Sequence, residues 1–148
     1  MTEEEGRAAV VEAARAWLGT PYHHLGDIRG VGVDCAMLLV RVYVDLGLIE
    51  PFDPRPYSPD WMLHNGEERY LTLLLARSRE IPRASVGPGD FILFRFGRCF
   101  SHGGIVTKTD PLTMVHAFMP ARRVIEDEPE RSELGIRLQT AKFASYWG

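Results

Sequence analysis

Gly32-Val33-Asp34-Cys35-Ala36-Met37-Leu38-Leu39-Val40-Arg41-Val42-Tyr43-Val44-Asp45-Leu46-Gly47 is the stretch on which the fold turns. Cys35, Leu38, Leu39, Val42 and Leu46 recur at helical spacing and share one face. Met37, Val40 and Val44 cover the other side, so the spacing predicts a helix buried nearly all round. Asp34 has the carboxylate that caps a helix start, and Gly47 is the C-terminal stop. The cysteine therefore opens a core helix. A thiol there meets the positive end of the helix dipole, which raises its thiolate fraction. A free cysteine in such a place is equally well read as a buried small hydrophobe. The rest of the chain must decide between the two.

Working outward toward the N-terminus, Thr2 and Glu5 fit a capping box. Val10, Ala13, Ala14, Trp17 and Leu18 then keep helical spacing up to Gly19. Thr20-Pro21-Tyr22 ends that helix, and a loop containing Gly26, Gly30 and Gly32 leads to Cys35. On the other side, Pro51, Pro54, Pro56 and Pro59 hold the chain extended or turning. A helix follows, interrupted at Asn65-Gly66, with Tyr70, Leu71, Leu74 and Leu75 facing inward. After Pro88-Gly89 the period changes to that of strands, expected at 90–96, 101–108, 112–118 and 122–125, with a further one at 136–139. Glu126-Asp127-Glu128-Pro129-Glu130 reads as a solvated loop. Helices first and a strand meander afterwards define an α+β fold, with the Cys35 helix packed on a C-terminal antiparallel sheet. The expectation is a single domain over residues 1–148 with a Pro-rich and helical insertion at about 51–82.

The chain has 148 residues, 45% of them hydrophobic, enough for a core that folds unaided. Its formal charge of −3 argues against nucleic acid as a partner, and Arg122-Arg123 is the one adjacent basic pair. No run approaches the roughly 18 apolar residues of a membrane span. Cys35 and Cys99 do not make a disulfide scaffold, although a bond between them is compatible with the sequence. The acidic start Met1-Thr2-Glu3-Glu4-Glu5 lacks the charge of a secretory signal. The expectation is synthesis in the cytoplasm, with another route needed for any work outside.

Thr109-Asp110-Pro111 is a strong turn signal between two expected strands. A hairpin centred near Thr109 puts His102 opposite His116, with Cβ atoms roughly 5 Å apart on one sheet face. The Cys35 helix is expected to cover that face. One strand histidine can then take the thiol proton while the second orients it. Gly103 and Gly104 leave room for a substrate chain. A zinc site from Cys35, Cys99, His102 and His116 has acceptable ligand types, but no CxxC or HExxH spacing supports it. His23, His24 and His64 sit in loop or helix-end contexts and read as locally bonded. His24 is the nearest of them to the nucleophile. Cys99 reads as a bystander in the loop before His102, and Trp17, Trp61 and Trp147 as packing residues.

Gly19-Thr20-Pro21-Tyr22, Asp34-Cys35, Gly89-Asp90-Phe91, Ser101-His102-Gly103-Gly104-Ile105-Val106 and Val115-His116-Ala117 occur in that order. Together they resemble the NlpC-type cell-wall cysteine peptidases, papain-like enzymes that hydrolyse peptidoglycan stem peptides. The resemblance implies Cys35 as nucleophile, His102 as general base and His116 as the third polar residue. It also implies that Tyr22, with Asp34-Cys35, contacts substrate or helps form the oxyanion site. The bond it implies joins a γ-linked D-glutamate to a diamino acid, and it implies no cofactor. Where the family usually reads Asp-Cys-Ser-Gly, this chain has Ala36-Met37. The insertion resembles the subgroup found in phage tails and prophages, which implies tail proteins as partners and a route to the wall without a signal peptide. A non-hydrolytic tail protein of the same fold, and a thiol acyltransferase or amidase acting on another amide, are the alternative readings.

Overall fold

The first helix, α1 (Glu3–Arg15), begins with the expected capping box: Thr2 Oγ1 accepts from the Glu5 N–H, and Glu5 accepts from the Thr2 N–H. The computed structural model describes residues 1–55, 72 and 74–148. After α1 come two short strands, β1 (Asp27–Ile28) and β2 (Gly32–Val33), and then α2 (Cys35–Asp45). The strands of the main sheet follow as β3 (Arg79–Ile81), β4 (Phe91–Phe96), β5 (Cys99–Thr109), β6 (Leu112–Phe118), β7 (Arg123–Asp127) and β8 (Lys142–Ser145). The expected helix across Asn65-Gly66 lies outside the described residues, apart from Thr72, Leu74 and Leu75, which are helical.

The six strands β3 to β8 form one antiparallel sheet in the order β3-β8-β4-β5-β6-β7. Period-two alternation sorts its residues cleanly. Phe91, Leu93, Ile105, Val115 and Ala117 point to one side, where they pack with Val10, Ala14, Leu38, Leu39 and Val42 of α1 and α2. Ile92, Phe94, Val106, Met114 and Phe118 point to the other, against Leu134 and Phe143. As the spacing predicts, α2 is buried on nearly every side, and Gly47 at φ +73° supplies the left-handed residue that lets the chain leave the helix. This is an α+β architecture with the N-terminal helices on one face of a C-terminal antiparallel sheet.

Four local readings are corrected. Residues 136–139 are not a strand but part of a 3₁₀ segment, Gly135–Thr140. The acidic run is not wholly loop, because β7 continues through Glu126 and Asp127. Cys99 is not in a loop; it is a buried β5 residue and is not disulfide-bonded to Cys35. The hairpin register also differs. Ile105 pairs with Val115 and Val106 with Met114, and a bulge at Thr107 precedes the pairs Lys108–Thr113 and Thr109–Leu112. That pairing sets His102 and His116 two positions out of direct opposition.

Candidate active site

Cys35 is the first residue of α2, and Asp34 fixes where that helix starts. Asp34 Oδ1 accepts from the Met37 N–H at 2.9 Å, while Oδ2 accepts from the Leu25 N–H at 2.8 Å. Leu25 sits at φ +65°, a conformation a leucine resists, and the second bond helps to hold it there. Both Asp34 oxygens are thus engaged, and the residue is 1% exposed. Its part is to place Cys35, in correction of the expectation that it meets substrate. His24 lies 3.7 Å from Asp34 and His23 binds the His24 carbonyl, so both belong to this supporting loop. His64 lies outside the described residues.

The Gly19-Thr20-Pro21-Tyr22 segment runs along the outer edge of β7. Gly19 N–H donates to Val124, Val124 N–H to Thr20 and Tyr22 N–H to Arg122. This pairing brings the Tyr22 ring to the wall of a cavity of about 280 Å³ that also exposes Cys35, Ser101 and His102. Burial is the main force pushing the Tyr22 hydroxyl far above its ordinary pKa, with negative charge at Cys35 and Asp34 adding to it. It stays protonated, so it can donate a hydrogen bond into the cavity.

His102 owes its direction to a bulge. Phe94 pairs with His102 but Arg95 pairs with Phe100, so Ser101 is the extra residue. Phe100 turns toward α2, His102 turns to the opposite face, and the Ser101 carbonyl meets the Cys35 sulfur at 3.7 Å. The body of α2 therefore does not cover the histidine face, contrary to expectation. The thiol reaches the cavity from the end of its helix instead. His102 and His116 do share a sheet face, with His102 Nε2 2.8 Å from His116 Nδ1. Gly104 makes that approach feasible: a Cβ there would stand 2.9 Å from Met114 Sδ and 3.1 Å from His116 Cβ. The expected role of Gly104 as room for substrate is corrected accordingly.

The His102 ring sits among Phe94, Phe96 and Phe118. Burial there, reinforced by His116, holds its pKa well below the usual imidazole value, so the resting ring is neutral. His116 is completely buried, and its Nε2 lies 2.8 Å from Asp127 Oδ1. Asp127 was missed in the sequence because it belongs to an acidic run that reads as solvated. The one available signal was its spacing from the strand residue Ile125, which puts both on the same sheet face. Among the described residues no group of three or more His, Cys, Asp and Glu side chains is arranged to hold a metal.

No family model and no curated protein matches this sequence. Solved structures do match in fold. The NlpC/p60 domain of the peptidoglycan hydrolase SagA superposes with a TM-score of 0.62 at 19% identity, over 94% of this chain and 97% of that one. An NlpC/P60 family protein from Bacillus cereus ATCC 10987 gives 0.66 at 19% identity, over 94% of this chain but 39% of its own. An N-acetylmuramoyl-L-alanine amidase from Bacteroides uniformis ATCC 8492 gives 0.59 at 15% identity, covering 95% and 98%. The fold is thus the papain-like one of NlpC/P60 proteins. At these identities the likeness is one of architecture.

Proposed function

We propose that this protein is a cysteine hydrolase that cleaves amide bonds in peptidoglycan stem peptides. The observation that carries the reading is that Cys35, at a helix N-terminus, and His102, bonded to the buried His116, line one cavity in a fold shared with peptidoglycan hydrolases. Neutral His102 takes the Cys35 proton, and the thiolate attacks the scissile carbonyl. The Cys35 N–H, at the positive end of α2, and the Tyr22 hydroxyl stabilise the oxyanion. His102 then passes its proton to the leaving amine as the thioester forms. Water loses a proton to His102, attacks the thioester, and the thiol is restored as the acid leaves.

Ala36 and Met37, in the first turn of α2, are 4% and 1% exposed and belong to the core. Their departure from the family pattern changes packing and leaves the attacking group intact, which weighs against the non-hydrolytic reading. The cavity rim carries Glu133 and Arg137, one charge of each sign, with Arg137 stacked over Phe96 at 4.0 Å. Such a rim suits a peptide bearing both carboxylate and amine groups. The bond proposed is that between γ-linked D-glutamate and the diamino acid. The amidase neighbour favours a second reading, the amide that joins the glycan to its first alanine. Delivery as a component of a phage tail is part of the same proposal. Digestion of soluble muropeptides followed by mass spectrometry tests it: a new product pair split after D-glutamate supports the first bond, release of the whole stem supports the second. Intact muropeptides with folded protein would contradict both.

A further inference from the structure

His116 is held from both sides, and the two contacts are not equivalent. On one side is His102, which can donate or accept; on the other is the Asp127 carboxylate, which accepts. The Asp127 contact therefore requires the proton of neutral His116 on Nε2. His116 Nδ1 is then an acceptor, so His102 must carry its own proton on Nε2, the atom 2.8 Å away. That leaves Nδ1 of His102 as the lone-pair nitrogen. Nδ1 is the ring nitrogen nearer the main chain, and the main chain of this segment is what the Cys35 sulfur touches, at the Ser101 carbonyl.

We propose that Asp127 is a positioning residue: through His116 it selects the protonated nitrogen of His102 and holds that ring with Nδ1 toward the thiol. Three observations converge on it. Both bonds of the chain are 2.8 Å. His116 is wholly buried, and the carboxylate is the partner at its Nε2. Asp127 is paired through the β6–β7 ladder, where Met114 faces it, so its backbone is rigid. The far end of the chain opens on a second bay of about 560 Å³, lined in part by Arg15, Lys108 and Arg131, and separate from the thiol cavity. The carboxylate thus reaches the histidine pair from a bay that shares no lining residue with the thiol cavity.

The inference rests on the proposed role of His102 as base, but its test needs no wall substrate. Two-bond ¹H–¹⁵N spectra of labelled protein report which nitrogen of each histidine carries the proton. In the wild type, His102 and His116 should both be Nε2–H. In Asp127→Ala, His116 should become a mixture of tautomers, and the alkylation rate of Cys35 near neutral pH should fall roughly tenfold, part of what a positioned base supplies. Asp127→Asn, whose amide oxygen can still accept, should restore the Nε2–H tautomer and most of the rate. A wild-type His116 protonated on Nδ1, or a folded Asp127→Ala protein with unchanged tautomers and alkylation, would overturn the proposal. Should Asp127→Ala fail to fold, the wild-type spectrum alone decides. A protein inert toward muropeptides yet showing this pattern would contradict the substrate reading and leave this one standing.

Discussion

The two faces of the sheet solve opposite problems. On the helix side, Leu38, Leu39, Phe91, Leu93, Ile105 and Val115 belong to one apolar cluster whose business is burial. On the far side, Ile92, Phe94, Val106, Met114 and Phe118 form an equally buried cluster. Yet His102 and His116 share that far face. Burying two imidazoles costs free energy unless every polar atom is satisfied. Here the chain ends at a carboxylate, and among the described residues no buried side-chain nitrogen or oxygen lacks a partner. The lesson is a division of labour: the helix-side face sets stability, and the histidine face holds the arrangement proposed as reactive, which must be polar and dry at once.

Substitutions on the two faces should therefore separate. Cys35→Ala or His102→Ala should lower stem-peptide turnover by roughly 10²–10⁴-fold or more while the protein stays folded, since each supplies a chemical step. Leu38→Ala, on the helix-side face, should instead destabilise by about 3 kcal/mol and leave turnover per folded molecule near wild type. Turnover measured beside thermal unfolding checks both. A Leu38 variant that loses activity without losing stability would break the division.

Within the histidine face, His116→Ala should be worse than His116→Asn, by about tenfold, because an amide can still accept from His102 Nε2–H. Kinetics of both variants on one muropeptide measure this. If folded His116→Asn were as inactive as Cys35→Ala, His116 would have a direct chemical role beyond orientation.

Much of this arrangement is legible in the chain. The cap at Thr2, the stripe of α2 and the strand pattern around His102 and His116 are local periodicities, and local periodicity survives into the fold. What is not legible depends on register and on partners far away in sequence. The extra residue at Ser101 sends His102 to the face opposite Phe100, and nothing in Phe100-Ser101-His102 announces it. A two-residue shift in the hairpin preserves the shared face, which is why the His102–His116 pairing was readable although the register was not. Asp127 was invisible for a different reason. A charge beside Glu126 and Glu128 looks solvated until a buried imidazole is known to face it. Ile136 gave the converse error: its segment has apolar residues, but the side chain is 82% exposed.

A smaller effect should appear with pH. Burial depresses the His102 pKa, so the folded protein disfavours the charged ring. As pH falls below about 6.5, the unfolded chain takes up a proton that the native His102 resists, and this share of stability is lost. It is fully present above that pH. Urea unfolding between pH 7 and pH 5 should show the decline, and His102→Gln should make it shallower. An unchanged slope in that variant would mean the ring is not held neutral.

The central claim is that Cys35 and His102 act as one unit, and brief labelling with iodoacetamide tests it most directly. Peptide mapping at neutral pH should find Cys35 modified well before Cys99, which is 1% exposed within β5. In His102→Ala, which opens rather than closes the cavity, Cys35 should label more slowly than in the wild type. Equal, slow labelling of both cysteines, or a Cys35 rate indifferent to the loss of His102, would contradict the account.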